Sequence, residues 1–158
     1  MSVDRDELFL EASRALQRRD FKKAYRGFQS AAKLGHSSAQ HNLGYLFDVG
    51  EGVRRDPEKA LYWYKRAWRS DRQTGSSSNI AALYAELDHP QQAIAWWKRG
   101  VKLGDGEAAL DLAKYLVQKF GVRRLKDAQG LLRQAQRSRR LTVSGRAEIR
   151  RMLAKLNR

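Results

Sequence analysis

The sequence predicts an all-helical fold, an α-solenoid of about four antiparallel helix hairpins followed by a C-terminal capping helix. Two observations carry that expectation: a small–bulky motif that returns at the interval of a helical hairpin, and the aspartate, proline and glycine punctuation between its copies. The motif occurs as Ala24-x-x-Gly27-Phe28-x-x-Ala31, Ala60-x-x-Trp63-Tyr64-x-x-Ala67, Ala93-x-x-Trp96-Trp97-x-x-Gly100 and Ala128-x-x-Leu131-Leu132-x-x-Ala135. Successive copies lie 36, 33 and 35 residues apart, the length of one helix–turn–helix unit. Offsets of i, i+3, i+4 and i+7 bring all the motif positions to one face of a helix. The small residues let backbones approach and the bulky ones fill the space between neighbours, which places Trp63 and Trp96 in the core between hairpins.

Taken in order, the elements are punctuated as such an array requires. The first hairpin, residues 4–35, pairs a helix containing Ala12-Ser13 and Leu16 with one that Asp20 caps before Phe21. In the second, 37–70, Leu43-Gly44 and Phe47 mark the first helix, and Gly50-Glu51-Gly52 breaks it. Asp56 then caps the next helix, with Pro57 at its first position, where the missing N–H costs nothing. The third, 76–104, repeats the pattern with Ile80-Ala81 and Tyr84, then His89-Pro90 at a helix start; the fourth, 105–138, has Leu112-Ala113 and Leu116. Gly35 and Gly104 follow second helices, where a left-handed C-cap is expected. The last segment, 142–158, carries one apolar stripe of Ile149, Met152, Leu153 and Leu156, the signature of a helix that covers the final repeat and shows water its other face. A chain of 158 residues with 42% hydrophobic content supports one domain, 1–158, and not two comfortable ones.

The segment Ala39-x-x-x-Leu43-Gly44-x-x-Phe47-x-x-Gly50-x-Gly52-Val53-x-x-Asp56-x-x-Lys59-Ala60-x-x-Trp63-Tyr64-x-x-Ala67 resembles the Sel1-like repeat, a branch of the tetratricopeptide superfamily. It departs mainly at Phe47, where tyrosine is usual. The third hairpin has lost the glycine-rich loop and reads as a plain tetratricopeptide, the fourth keeps only Gly121-Val122, and the first is degenerate. The resemblance covers about Asp4 to Ser138. It implies a right-handed superhelix whose members act as adaptors, scaffolds, chaperone-like binders or regulators, and it implies no shared ligand.

Chemical sites are sparse. There is no cysteine, and the three histidines are His36, His41 and His89, so thiolate metal sites and disulfides are excluded. No phosphate-binding loop with its lysine, no His-Glu-x-x-His and no Gly-x-Ser-x-Gly occurs. Gly50-x-Gly52 and Gly104-x-Gly106 read as turns, His36 as a loop residue, His89 as a helix-start residue, and His41 as a first-helix residue with no second histidine beside it. Trp68 lies outside the motif and is the expected exposed aromatic. A non-catalytic binding protein without cofactor or metal is the expectation. Met1 to Asp20 carries acids where an export signal needs bases, and no stretch approaches about 18 uninterrupted apolar residues, so a cytoplasmic protein without a membrane span is expected.

Two surfaces are candidates for the partner. By resemblance, first helices line the concave groove, which maps there Arg14 and Arg18; His41, Asn42, Tyr45 and Asp48; Ser78, Asn79, Ala82 and Glu86; and Leu110, Lys114 and Gln118. Asn42 and Asn79 share one aligned position and, with a lysine, resemble the carboxylate clamp of some tetratricopeptide domains, although its other basic positions are unmatched. The second surface is basic. The chain carries 32 Lys and Arg against 17 Asp and Glu, a net charge of +15. From Arg123 to Arg158 there are 12 basic residues against Asp127 and Glu148. Arg139, Arg140, Arg146, Arg150, Arg151 and Lys155 are its expected binding residues. Such a field attracts an acidic partner, either an acidic protein or peptide, or a nucleic acid held through its phosphates.

Overall fold

The punctuation read from the sequence sets the helix ends in the computed structural model, which describes residues 4–72 and 75–156. Helices α1 (Arg5–Gln17), α2 (Phe21–Lys33), α3 (Ser37–Val49), α4 (Pro57–Ser70) and α5 (Ser76–Glu86) are followed by α6 (Pro90–Lys102), α7 (Gly106–Phe120), α8 (Leu125–Gln136) and α9 (Val143–Leu156). A 3-10 turn, Gly121–Arg124, joins α7 to α8. Among the described residues there is no strand, and no helix is long and apolar enough to cross a membrane.

Each cap satisfies backbone N–H groups that the first turn leaves without partners. Asp20 accepts from the Lys23 amide at 3.1 Å and Asp56 from the Lys59 amide at 3.0 Å, with Pro57 at the first helical position. His36 is more than a loop residue. Its Nδ1 accepts from the Ala39 amide at 3.2 Å, which makes it the N-cap of α3, and its ring stacks on Phe9 at 4.2 Å. His89 stands at the start of α6 without a side-chain capping bond.

The chain divides into two compact units, one reaching Leu83 and the other starting at Tyr84, with the division inside α5. In the first unit α1 packs on α2, α2 on α3 and α3 on α4. Ala24, Phe28, Ala31, Ala60, Tyr64 and Ala67 are all fully enclosed at 0% exposure. Two glycines make the approach possible. A Cβ on Gly44 would stand 2.8 Å from the Tyr64 ring, and one on Gly52, whose φ is +74°, would collide with the Phe21 carbonyl. Gln40 is buried with both ends occupied: its amide donates to the Ala32 carbonyl at 3.2 Å, and its oxygen accepts from Ser70 Oγ at 3.3 Å. One side chain thereby ties together the ends of α2 and α4 across α3.

In the second unit α7 packs against α6, α8 and α9. The core gathers Ala109, Leu110, Ala113, Ala128, Leu132 and Ala135 with Leu141 and Ile149, and Met152, Leu153 and Leu156 close its edge. The apolar stripe of α9 therefore covers the fourth hairpin as a cap does. Residues 157–158 of that segment lie outside the described residues. Thr142 Oγ1 accepts from the Gly145 amide at 3.0 Å, and the Thr142 amide donates to Glu107 Oε1 at 2.8 Å, which fixes the start of α9 against α7.

The expectations for the tryptophans fail. Trp63 and Trp96 are half-buried, and the residue after each, Tyr64 or Trp97, is the one in the core. Arginine one turn on covers the displaced indoles: the Arg66 guanidinium lies 5.5 Å from the Trp63 ring centre and that of Arg99 4.3 Å from Trp96. Trp68, the expected exposed aromatic, is half-buried, as Trp63 and Trp96 are. The two indoles of the third hairpin should thus differ sharply in energetic weight. Trp97→Ala should cost about 3–5 kcal/mol, as large aromatic truncations in cores do, and Trp96→Ala under about 2 kcal/mol, since it removes half-exposed surface and one cation–π contact. Urea midpoints of the two variants decide this; equal losses would refute the assigned register.

Candidate functional site

Three of the expected groove residues of the first unit, His41, Asp48 and Asn79, belong to a partly buried polar chain that packing forces into being. Tyr64, enclosed in the core, must place its hydroxyl somewhere. It donates to Asp48 Oδ2 at 3.3 Å and is hydrogen-bonded to the Asn79 side chain. Burial first, then the Asp48 carboxylate, pushes its ionisation above the usual tyrosine value. Asp48 is itself held by Arg55, whose Nε donates to the Asp48 carbonyl at 2.7 Å and whose Nη2 stands 3.9 Å from the carboxylate. His41 tilts against the Tyr64 ring at 5.3 Å, and its Nδ1 shares a 2.9 Å hydrogen bond with Ser76 Oγ.

The structure thus brings together His41, Asp48 and Asn79, and adds Tyr64 and Ser76, which the sequence reading did not assign to the site. Ser76 opens α5, and its proximity to His41 across 35 positions leaves no local signal. Tyr64 does carry a local signal, since a tyrosine in a core slot needs a polar partner. Asn42 and Ser78 are half-buried beside this chain, while Tyr45, Ala82, Arg14 and Arg18 are exposed. This connected network has the character of a fixed scaffold. Arg55 is its solvent-facing end, and Tyr45, on the same helix as His41 and Asp48, is exposed at 38%.

In the second unit Glu86 and Gln118 are exposed as expected, but Leu110 is not a groove residue. At 2% exposure it belongs to the core, because α7 is covered by both α8 and α9 and the residue beside its buried row is buried too. Lys114 is exposed but engaged: it stands 3.1 Å from Glu148 of α9 and 3.9 Å from Asp111. Burial raises the ionisation of Asp111, and Lys114 opposes that shift. Arg139, Arg140, Arg146, Arg150, Arg151 and Lys155 are all exposed. Arg146 donates to the carbonyls of Gln136, at 3.3 Å, and Ser138, at 3.0 Å. Among the described residues the other five have no carboxylate within ion-pair distance.

Comparison with known proteins covers the first two hairpins and the second helix of the third. The pattern described as "Sel1 repeat" matches residues 11–36, 37–69 and 86–105. The chain belongs to the Sel1 repeat family. Among solved structures, a Sel1 repeat protein from Oxalobacter formigenes is 20% identical, with a TM-score of 0.67 over 80% of this chain and 54% of that one. A protective antigen of uropathogenic Escherichia coli with an SLR fold is 28% identical, with a TM-score of 0.61 over 72% of this chain and 25% of that one. A TPR repeats protein from Bacteroides fragilis is 19% identical, with a TM-score of 0.57 over 98% and 71%. The chain therefore spans about half of the first structure and a quarter of the second. These likenesses fix the helical-repeat class. Sel1 repeat proteins generally mediate protein–protein interactions and are typically non-catalytic scaffolds.

The polar chain of this Sel1 repeat protein has a pH signature. Burial holds the His41 pKa below 6.5, so the folded state resists a proton that the unfolded chain accepts. As pH falls through the unfolded value, the unfolded state is protonated first and stability declines. Between about pH 7 and pH 5 the wild-type urea midpoint should therefore fall relative to that of His41→Gln. Parallel curves would show that His41 titrates alike in both states.

Proposed function

We propose that the chain is a non-catalytic interaction module that binds an acidic protein or peptide, through the basic end of its second unit and the exposed first-helix faces near Tyr45 and Gln118. The observation that carries this reading is the set of exposed cations at that end, Arg139, Arg140, Arg150, Arg151 and Lys155, which have no acidic partner within the described residues. Several cations elsewhere are paired: Lys59 with Asp56 at 2.9 Å, Lys119 with Asp88 at 2.7 Å and Lys114 with Glu148. Complementary surface charge steers encounter and selects the partner more than it sets raw affinity. A cytoplasmic setting fits a chain without cysteine.

The reading is tested on the rate of association. An acidic partner retained at low salt should associate more slowly as ionic strength rises, because steering is screened beyond about 8 Å at physiological salt. The double variant Arg150→Glu, Arg151→Glu should lower the on-rate about tenfold at an unchanged melting temperature, since both side chains face water. Tyr45→Ala should leave the on-rate alone and raise the off-rate. Binding indifferent to salt and to the double charge reversal would reduce the basic end to a solubility device, and retention of nucleic acid in place of protein would assign the cations to phosphates.

A further inference from the structure

One helical glycine in this fold has no internal reason to be glycine. A Cβ on Gly27 would meet the Ala12 Cβ at 2.7 Å, one on Gly44 the Tyr64 ring at 2.8 Å, one on Gly106 the Ser138 Cβ at 2.8 Å and one on Gly145 a Glu107 carboxylate oxygen at 2.8 Å. Gly130, in the interior of α8, has nothing within 4 Å of that position. It is exposed, its φ is not in the left-handed region, and a glycine inside a helix is less stable than alanine. The fold gains nothing from it.

Its neighbours along the helix supply a meaning. At 3.6 residues per turn, Lys126, Gly130, Arg133 and Arg137 fall within about 60° of one another, in a line about 16 Å long. All are exposed, and they lie opposite the buried Ala128, Leu132 and Ala135. Neither Lys126, Arg133 nor Arg137 has a carboxylate partner among the described residues, whereas the nearby Asp127 is taken by Arg124 at 3.1 Å. Motif alignment shows what is particular to α8. The positions of Arg133 and Arg137 are also basic in α4, as Lys65 and Arg69, and in α6, as Lys98 and Lys102. The Gly130 position holds Arg26, Tyr62 and Ala95 in the other second helices. The basic pair recurs, and the gap beside it does not.

We propose that the outer face of α8 is a docking seat for an acidic amphipathic helix of a protein partner, whose backbone packs at Gly130 while its carboxylates pair with Lys126 on one side and with Arg133 and Arg137 on the other. This rests on the reading of the basic end as a surface for acidic protein, and adds where and in what conformation the partner lies. The distance between two packed helix axes is set by the side chains at the contact, so a residue without a side chain draws them together. A phosphate ladder gains nothing from such a gap, since Arg and Lys reach phosphates at arm's length. No aromatic residue lies on this line to stack a base. The glycine therefore separates a packed helix from a nucleic acid.

The test uses the full chain and two fluorescent 21-residue alanine-based peptides of one composition, the first with glutamates at i, i+4, i+7 and i+11 on one face, the second with them spread around the helix. At low salt the one-faced peptide should bind the wild type at least tenfold more tightly than its isomer. Gly130→Ala should raise the melting temperature by about 2–4 °C and yet weaken the one-faced peptide severalfold, and Gly130→Leu should weaken it further. A stabilising substitution that loses binding cannot be a folding defect. Wild-type affinity in both Gly130 variants would overturn the seat; if Arg150→Glu, Arg151→Glu abolished binding in that case, the basic end would still hold acidic protein, at another face. Absence of any peptide binding would overturn both. A 20-base-pair DNA duplex that bound wild type and Gly130→Leu alike, and displaced the peptide, would assign the line to phosphates.

Discussion

Within each unit, the packing depends on how closely the second helix of a hairpin approaches the first, α2 on α1, α4 on α3 and α8 on α7. The alanines that open and close each motif, Ala24 and Ala31, Ala60 and Ala67, Ala128 and Ala135, are at most 1% exposed, and between each pair a single large residue fills the gap. Deep burial of one wedge per hairpin removes more apolar surface than a row of medium residues on a wider seam, and interior packing tolerates no void between them. The same closeness dictates the glycines facing the wedges, such as Gly44 under Tyr64. It also creates the polar chain of the first unit. When the wedge is a tyrosine its hydroxyl is carried through the seam, and a buried hydroxyl without a partner is costly. Asp48 and Asn79 meet it there, so a packing rule ends by fixing residues on the first-helix face.

The helices and their ends were legible because each is announced locally: Asp20, Asp56 and Pro57 start helices, and Gly50 and Gly104 end them. The choice of wedge was not legible from the motif alone. With alanines at i and i+7, positions i+3 and i+4 flank the seam at nearly equal angles, one on each side, and both hold large residues in α4 and α6. What breaks the tie is the next residue outward on either side. Beyond i+4 lie i+1 and i+8, which are Leu61 and Trp68 in α4, and Ile94 and Val101 in α6. Beyond i+3 lies i+6, which is Arg66 or Arg99. An apolar flank continues the core and a charged flank ends it, so the wedge is Tyr64 or Trp97, and Trp63 and Trp96 fall on the boundary under their arginines.

The candidate site was legible in outline only. Aligned positions picked out His41, Asp48 and Asn79, which the structure brings together, but alignment cannot supply the partners, since Tyr64 reaches Asp48 from 16 positions away and Ser76 reaches His41 from 35. Leu110 shows the opposite failure. A rule that assigns the neighbour of a buried row to a groove assumes a helix covered on one side, and α7 is covered by both α8 and the cap. Its composition already said so, with Ala108, Ala109, Leu110, Leu112, Ala113 and Leu116 leaving little polar face.

Charge is the property that the fold explains least, and for that reason it says most about function. Like-charged neighbours four residues apart, such as Arg133 with Arg137 or Arg146 with Arg150, oppose helix formation slightly. Where cations sit near a helix C-terminus the helix dipole returns part of that cost, but Arg146 lies in the first turn of α9, where the dipole adds to it, and Arg150 in the middle. A device for solubility alone needs net charge and is indifferent to its arrangement. Here the arrangement is specific. Within the second unit, Lys126, Arg133 and Arg137 share one line opposite the buried face of α8, that line is interrupted by a glycine the helix would be more stable without, and the acids nearby are already bonded to other groups. A surface that gives up helix stability to keep a gap between unpaired cations is shaped for something that fills the gap and neutralises them.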